Sequence, residues 1–210
     1  MENITIKIKE DKIMEIKIAK DFNGNTNEKI SELFVEAFGK DLKIISKDTN
    51  KLIQAFSHIF VLDYFYIGII NNEIAGMMVC TDKDHYCINQ NKKILIKNLG
   101  LIKGLMANMI FKRYFNKSPK YPVEINQKTG SIEFVATRKK YQNMGIAAKI
   151  MEHIFSLKLY EKYILEVADT NEKAYNLYTK LGYKEIHRIK QKFSKYIGIN
   201  YLVYMIKDTN

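Results

Sequence analysis

The chain has 210 residues, and 34 Lys and Arg against 23 Asp and Glu leave a formal charge of +11. This length suits one domain carrying an insertion, and 47% hydrophobic with 27% charged residues excludes a disordered, solvating chain. The positive balance invites a nucleic-acid reading, but all the basic residues except Arg113, Arg138 and Arg188 are Lys. They lack the planar fork favoured by phosphate and base readout.

Cys80 and Cys87 are too few for a disulfide scaffold and have no metal-type partners nearby, so a reducing cytoplasm is expected. The first residues, Met1 to Lys7, lack the apolar core of a signal peptide. The most apolar stretches, 59–70 and 99–111, are broken by Asp63 and Lys103 and fall short of the ~20 residues of a membrane span. A soluble protein with no membrane partner is expected.

Along the chain, Ile4 and Ile6, then Ile13, Ile16 and Ile18, predict one or two opening strands. Thr26 is placed to cap a helix in which Ile30, Leu33, Phe34, Ala37 and Phe38 follow the i, i+3, i+4 rule. A second helix starts near Asp48 or Thr49, with Leu52, Ile53, Phe56, Ile59 and Phe60 on one face. Runs 63–70 and 73–81 flank Asn71-Asn72 and read as a hairpin, because Asn tolerates the positive φ of a two-residue turn. Within 82–130, Leu95, Leu99, Ile102, Leu105, Met106 and Met109 keep helical spacing, and a polar stretch with Ser118-Pro119 and Pro122 follows. This segment is expected to be a helical insertion, near residues 90–120, that ends in a loop. Met106 and Met109 read as packing rather than cofactor contacts.

From Ser131 the pattern is regular: strand 132–137, helix 145–157, strand 163–168, helix 171–181, then strands near 184–191 and 199–206. That order predicts a mixed sheet with helices on both faces, an α+β or α/β domain. The last strand is apolar on both faces, which leaves monomer or homodimer open.

Two motifs carry chemistry. Gln142, Asn143, Met144, Gly145, Ile146, Ala147 and Ala148 lie between a strand and a helix. Small residues there let ligand oxygens approach unpaired main-chain N–H groups at a helix N-terminus, where the dipole favours an anion. Further on stand Leu165-Glu166-Val167, Asn171, Ala174, Leu177-Tyr178 and Leu181-Gly182-Tyr183, on a strand, a helix and the turn that ends it. Taken together, in this order and separation, the two motifs resemble the GNAT superfamily of acetyl-CoA-dependent N-acetyltransferases, over roughly residues 131–185.

The resemblance implies a single domain over 1–210 of α+β class. Its central sheet is mixed and mostly antiparallel, flanked by helices on both faces, with 82–130 as an insertion. It implies acetyl-CoA as co-substrate and a primary amine, on a small molecule or a peptide or protein, as acceptor. Val135, Ala136 and Thr137 match the strand whose backbone pairs with the pantetheine arm. The turn from Gln142 to Ala148 matches the cradle of the coenzyme A pyrophosphate, and Asn171 the helix-start side chain that contacts the coenzyme. Tyr178 matches the tyrosine that protonates the departing thiolate in many members. The chain departs from the family at Gln142, where Arg is also common, at Ala147, in place of the usual second glycine, and at Lys139, where many relatives have Pro.

Thioester acyl transfer needs an uncharged amine, stabilisation of a developing oxyanion and a proton for the leaving sulfur. Glu166 and Glu133 occupy positions where relatives carry acids, and either is a candidate base; each also reads as a solvent-facing or Lys-paired side chain. Arg138, Lys139 and Lys140 precede the turn and are expected to meet coenzyme phosphates. His58, His85, His153 and His187 show no metal-type pairing, so no metal is expected. No nucleic-acid partner is expected either, since basic and aromatic residues are not interleaved as on a single-strand binding face. The other classes of reading are a non-catalytic acyl-CoA sensor and a basic nucleic-acid binder, and direct attack in a ternary complex is expected because no nucleophile with an adjacent base is evident.

Overall fold

The computed structural model describes all residues except 1–3, 9–11, 90, 115–120, 193, 195–197 and 210. Eight strands form one sheet: β1 (Ile4–Lys7), β2 (Ile13–Ile18), β3 (Phe65–Ile70), β4 (Glu73–Thr81), β5 (Thr129–Thr137), β6 (Lys162–Ala168), β7 (Lys184–Lys190) and β8 (Tyr201–Asp208). They lie in the order β1-β2-β3-β4-β5-β6-β8-β7. Every neighbouring pair is antiparallel except β5 and β6. The sheet is therefore mixed and mostly antiparallel, as the motif resemblance implies.

Helices cover both faces. One core joins α1 (Thr26–Leu42), α2 (Thr49–Phe56), α3 (Lys92–Leu99) and α4 (Leu101–Tyr114) to the sheet through Phe34, Phe56, Leu95 and Phe111. The other joins α5 (Ile146–Ser156) and α6 (Glu172–Lys180) to the opposite face through Ile146, Ile150 and Tyr178. Buried alternation sorts the strands between these cores: in β6, Tyr163, Leu165 and Val167 serve the α5–α6 side. Among the described residues no helix is long and apolar enough to cross a membrane.

Local chemistry sets most element ends. Asn71 (φ 50°) and Asn72 (φ 61°) close the β3–β4 hairpin in the left-handed conformations expected of them. Asp48 caps α2 by accepting the Lys51 N–H at 3.1 Å. Thr26 differs from expectation: it is the first helical residue, Asn25 holds the cap position, and the Thr26 hydroxyl donates back to the Phe22 carbonyl at 2.8 Å. Ile59 and Phe60 lie beyond the end of α2. The periodic stretch from Leu95 to Met109 is two helices, because Gly100 turns the chain at φ 81°. Ser118-Pro119 falls outside the described residues. β8 is apolar on both faces because it lies inside the sheet, between β6 and β7.

Two packing devices position α5. Gly68 and Gly76 face each other across β3 and β4. A Cβ on Gly76 would stand 2.7 Å from Ile146 Cγ2, and one on Gly68 3.2 Å from Ile150 Cδ1. The paired glycines thus form a notch that seats the start of α5 close to the sheet. Just before that helix, the largely buried Arg138 guanidinium pairs with Glu32 (3.3 Å) and Glu36 (3.1 Å) of α1 and with Glu73 (3.5 Å) of β4, while its Nε donates to the Ile74 carbonyl at 2.9 Å. Removing it leaves three carboxylates facing one another. Arg138→Ala is expected to cost about 2 kcal/mol in urea denaturation. Arg138→Lys is expected to recover less than half of that, since a point charge replaces a multidentate fork.

Candidate active site

The sheet parts in its middle. β5 and β6 pair only at Thr129–Lys162, Gly130–Tyr163 and Ser131–Ile164, after which the two strands diverge. β5 also bulges: Met77 and Val79 of β4 face Ala136 and Glu133, so Phe134 and Val135 together oppose Met78 alone. Phe134 takes φ 47° at this bulge, and its ring lies 5.2 Å from Phe34 and 6.1 Å from Phe38 of α1. Aromatic packing onto α1 thus holds a conformation disfavoured for a bulky residue. Past the bulge, Ala136 and Thr137 pair with Met77 and Gly76 on one edge. The other edge of Val135, Ala136 and Thr137 borders the wedge and has no strand beside it. An extended ligand chain could complete it.

The phosphate-type turn lies between β5 and α5. A 3-10 turn over Lys139–Tyr141 leads to Gln142; Asn143 (φ 65°) and Gly145 (φ 82°) then take left-handed conformations ahead of α5. Met144 and Ile146 anchor the turn in the core, whereas Gln142, Asn143 and Gly145 are exposed. The first main-chain bond of α5 runs from the Lys149 N–H to the Gly145 carbonyl at 3.0 Å, so the N–H groups of Ile146, Ala147 and Ala148 project from the helix end. A Cβ on Gly145 would meet nothing within 4 Å. This open space in front of unpaired N–H groups and the positive end of a helix dipole fits a pyrophosphate.

The basic run beside the turn has another use. Arg138 is committed to its three glutamates, the Lys139 N–H donates to Glu36 at 2.8 Å, and Lys140 pairs with Glu73. The cation aimed at the turn comes from α6: Lys173 Nζ donates to Asn143 Oδ1 at 3.2 Å. Asn171 caps α6, its Oδ1 accepting the Ala174 N–H at 3.2 Å, and the residue is exposed. Its amide NH2 therefore faces outward.

The remaining chemistry lies on either side of the wedge. Tyr178 is buried in the α5–α6 core, with its ring 5.9 Å from Tyr183. Among the described residues nothing accepts from its hydroxyl, and burial pushes the phenol up to about 12. Glu133 and Glu166 occupy the other face. Glu133 Oε1 accepts from Thr81 Oγ1 at 2.7 Å and from Ser131 Oγ at 3.3 Å. Burial raises this carboxyl, those two hydrogen bonds oppose the shift, and the charge of Glu166 adds to it. Glu166 is also raised, with partial desolvation as the leading cause and the Tyr204 hydroxyl opposing it. Tyr204 lies directly across from Glu166 on β8.

Sequence reasoning missed two participants. Tyr121 comes from the polar end of the insertion, hydrogen-bonds Ser131 and sets its ring 5.9 Å from Tyr204, edge to face. It links Glu133, through Ser131, to the tyrosine beside Glu166. Lys173 is the other, and its place in the first turn of a helix capped by Asn171 was the available signal.

The model of the acetyltransferase (GNAT) family matches residues 27–183. No curated protein is significantly similar in sequence. Among solved structures, PH1933 from Pyrococcus horikoshii OT3 is similar with a TM-score of 0.58 and 19% identity, over 94% of this chain and 99% of that one. An N-acetyltransferase from Staphylococcus aureus Mu50 gives 0.54 and 18%, over 91% and 98%. A ribosomal-protein alanine N-acetyltransferase from Escherichia coli gives 0.53 and 11%, over 94% of each chain. At these identities the likeness is one of fold.

Gly145→Ala places a side chain at φ 82° and fills the open space before α5. It is expected to weaken coenzyme A binding about tenfold in titration calorimetry, equivalent to about 1.4 kcal/mol. Lys173→Ala is expected to weaken it less, since that cation is exposed.

Proposed function

Since the chain belongs to the GNAT acetyltransferase family, we propose that it moves the acetyl group of acetyl-CoA onto a primary amine by direct attack in a ternary complex. The observation that carries this reading is the alignment of a strand edge bordering the β5–β6 wedge with an open helix N-terminus. The main chain of Val135, Ala136 and Thr137 would hold the pantetheine arm as an added strand. The turn from Gln142 through Asn143, Met144, Gly145, Ile146 and Ala147 to Ala148 would hold the pyrophosphate, with the outward amide of Asn171 and the ammonium of Lys173 at its side. Acetyl-CoA, when bound, supplies an activated acyl carbonyl.

The residues of the wedge then divide the proton work. Glu133 is the preferred base: two hydroxyls fix its carboxylate, and desolvation raises its proton affinity toward that useful at neutral pH. Glu166, paired across the sheet with Tyr204, is placed to attract the acceptor's ammonium and raise the Glu133 proton affinity further. Strand N–H groups at the bulge supply donors for the developing oxyanion. Tyr178 stays protonated throughout the neutral range and donates toward the leaving sulfur. A dry wedge raises thiolate and phenolate affinities in the same direction, so the raised phenol still matches its partner. The acceptor is a small-molecule or peptide amine, and the two free thiols, Cys80 and Cys87, suit work in the cytoplasm.

Thiol release from acetyl-CoA against a panel of amines tests the reading. Release with at least one amine is expected, whereas coenzyme binding without release from any of them would assign the chain to acyl-CoA sensing. Tyr178→Phe is expected to lower kcat by about 10²-fold with coenzyme binding unchanged. Unchanged turnover would remove Tyr178 as the acid.

Glu133→Gln is expected to lower kcat about 10²-fold while stabilising the fold at pH 7. The raised carboxyl binds its proton more tightly in the folded state than in the unfolded one. The folded state therefore loses stability as pH climbs from the unfolded pKa, about 4.3, through the raised folded value. The neutral Gln avoids this loss. Melting curves of parent and variant should separate at pH 7 and converge toward pH 4.

A further inference from the structure

Residues 86–123 contain no Asp or Glu but eight Lys and Arg, a local charge of +8 within a chain of +11. Within this stretch, Lys92, Lys93, Lys97, Lys103 and Lys112 are exposed on α3 and α4. α4 is also apolar on two faces. Its inner face buries Ala107 and Phe111 in the core, and its outer face presents Leu101 (64% exposed), Ile102 (82%), Leu105 (40%) and Met109 (64%) to solvent. Residues 102, 105 and 109 follow i, i+3, i+7 spacing and form one stripe along the helix. The ordinary amphipathic rule would put polar side chains there, and no element among the described residues covers the stripe.

A second feature adjoins it. Lys103 and Leu99 share a hollow of about 360 Å³ with Lys43, Lys47 and Lys51, and Ile44 at its rim is 71% exposed. Asp48 is the one acid in this lining; its Oδ1 caps α2, and its Oδ2 lies 4.0 Å from Lys51 Nζ, leaving a clear cationic excess. Four lysines thus line an open depression flanked by exposed aliphatic side chains.

We propose that α4 and the 43–51 turn form a docking surface for the interface of an anionic lipid bilayer. The aliphatic stripe enters the acyl boundary, headgroup phosphates meet the hollow, and the remaining lysines reach lipid phosphates on their flexible stems. Like charge opposes a second copy of the same surface, and a nucleic acid has no use for a central row of Leu, Ile and Met. This surface is peripheral and needs no membrane-spanning helix, so the sequence-level expectation of no membrane partner, drawn from the lack of a span, does not bear on it. Nor does the inference rest on the acetyl-transfer reading.

Co-sedimentation of the full chain with phosphatidylcholine vesicles, with and without phosphatidylglycerol, tests it. Partition onto the phosphatidylglycerol vesicles alone is expected, declining as salt rises. Ile102→Asp combined with Met109→Asp, and separately Lys47→Glu combined with Lys103→Glu, should each lower partition at least about tenfold. Coenzyme A binding and the circular-dichroism melting curve should stay at parental values in both, which establishes that the variants fold. Failure to partition onto phosphatidylglycerol vesicles, or partition untouched by both pairs, would overturn the proposal. So would a parental dimer in sedimentation equilibrium that Ile102→Asp converts to monomer, because the stripe would then belong to a second copy.

Discussion

Two neighbouring parallel strands that hydrogen-bond for three residues and then separate are the constraint on which the rest of this structure depends. A strand edge in the middle of a sheet normally has a partner on both sides, because main-chain N–H and C=O groups shielded from water without one are costly. Here β5 gives up that partner from Ile132 to Thr137. The separation needs a bulge to redirect β5, an aromatic ring to hold the bulge, and a helix on each face to stop the gap from closing. Phe134, anchored on Phe34 and Phe38, meets the second need. Helices α1 and α5 meet the third, the latter held close by the Gly68–Gly76 notch.

The same separation explains why the chemistry is divided between faces. A continuous sheet would screen a tyrosine on one side from carboxylates on the other. With the strands apart, Tyr178 in the α5–α6 core and Glu133 on the α1–α4 side both border the gap between β5 and β6. In the proposed reaction an acid and a base would thus flank the reacting group from opposite sides, while Thr81 and Ser131 offset part of the buried carboxyl's desolvation. Through Tyr121 the insertion reaches Ser131, the neighbour of Glu133, so it is more than an outer layer.

Local chemistry was readable in the residues and long-range chemistry was not. The turn at Gln142–Ala148, the Asn71-Asn72 hairpin and the Asp48 cap are each determined by residues within a few positions, and their spacing is legible. Arg138 was misread because the groups that hold it, Glu32, Glu36 and Glu73, are brought in by α1 and β4 from far along the chain. Phe134 gave no sign of a bulge, since its positive φ is imposed by rings on α1. The split of the insertion at Gly100 was masked by an apolar period that continues, by coincidence of register, from α3 into α4.

The commitment of Arg138 and Lys140 to acidic partners has one further consequence. In the proposed complex the mouth of the wedge would hold the coenzyme's anion mainly by main-chain dipoles and a single lysine, whereas most of the chain's surplus charge is carried elsewhere. Dipoles that touch their ligand are little affected by mobile counterions, and dispersed surface ammonium groups are strongly affected. On the two proposals above, ionic strength would therefore act far more on the outer surface than on the cofactor mouth, so salt would release the bilayer well before the coenzyme.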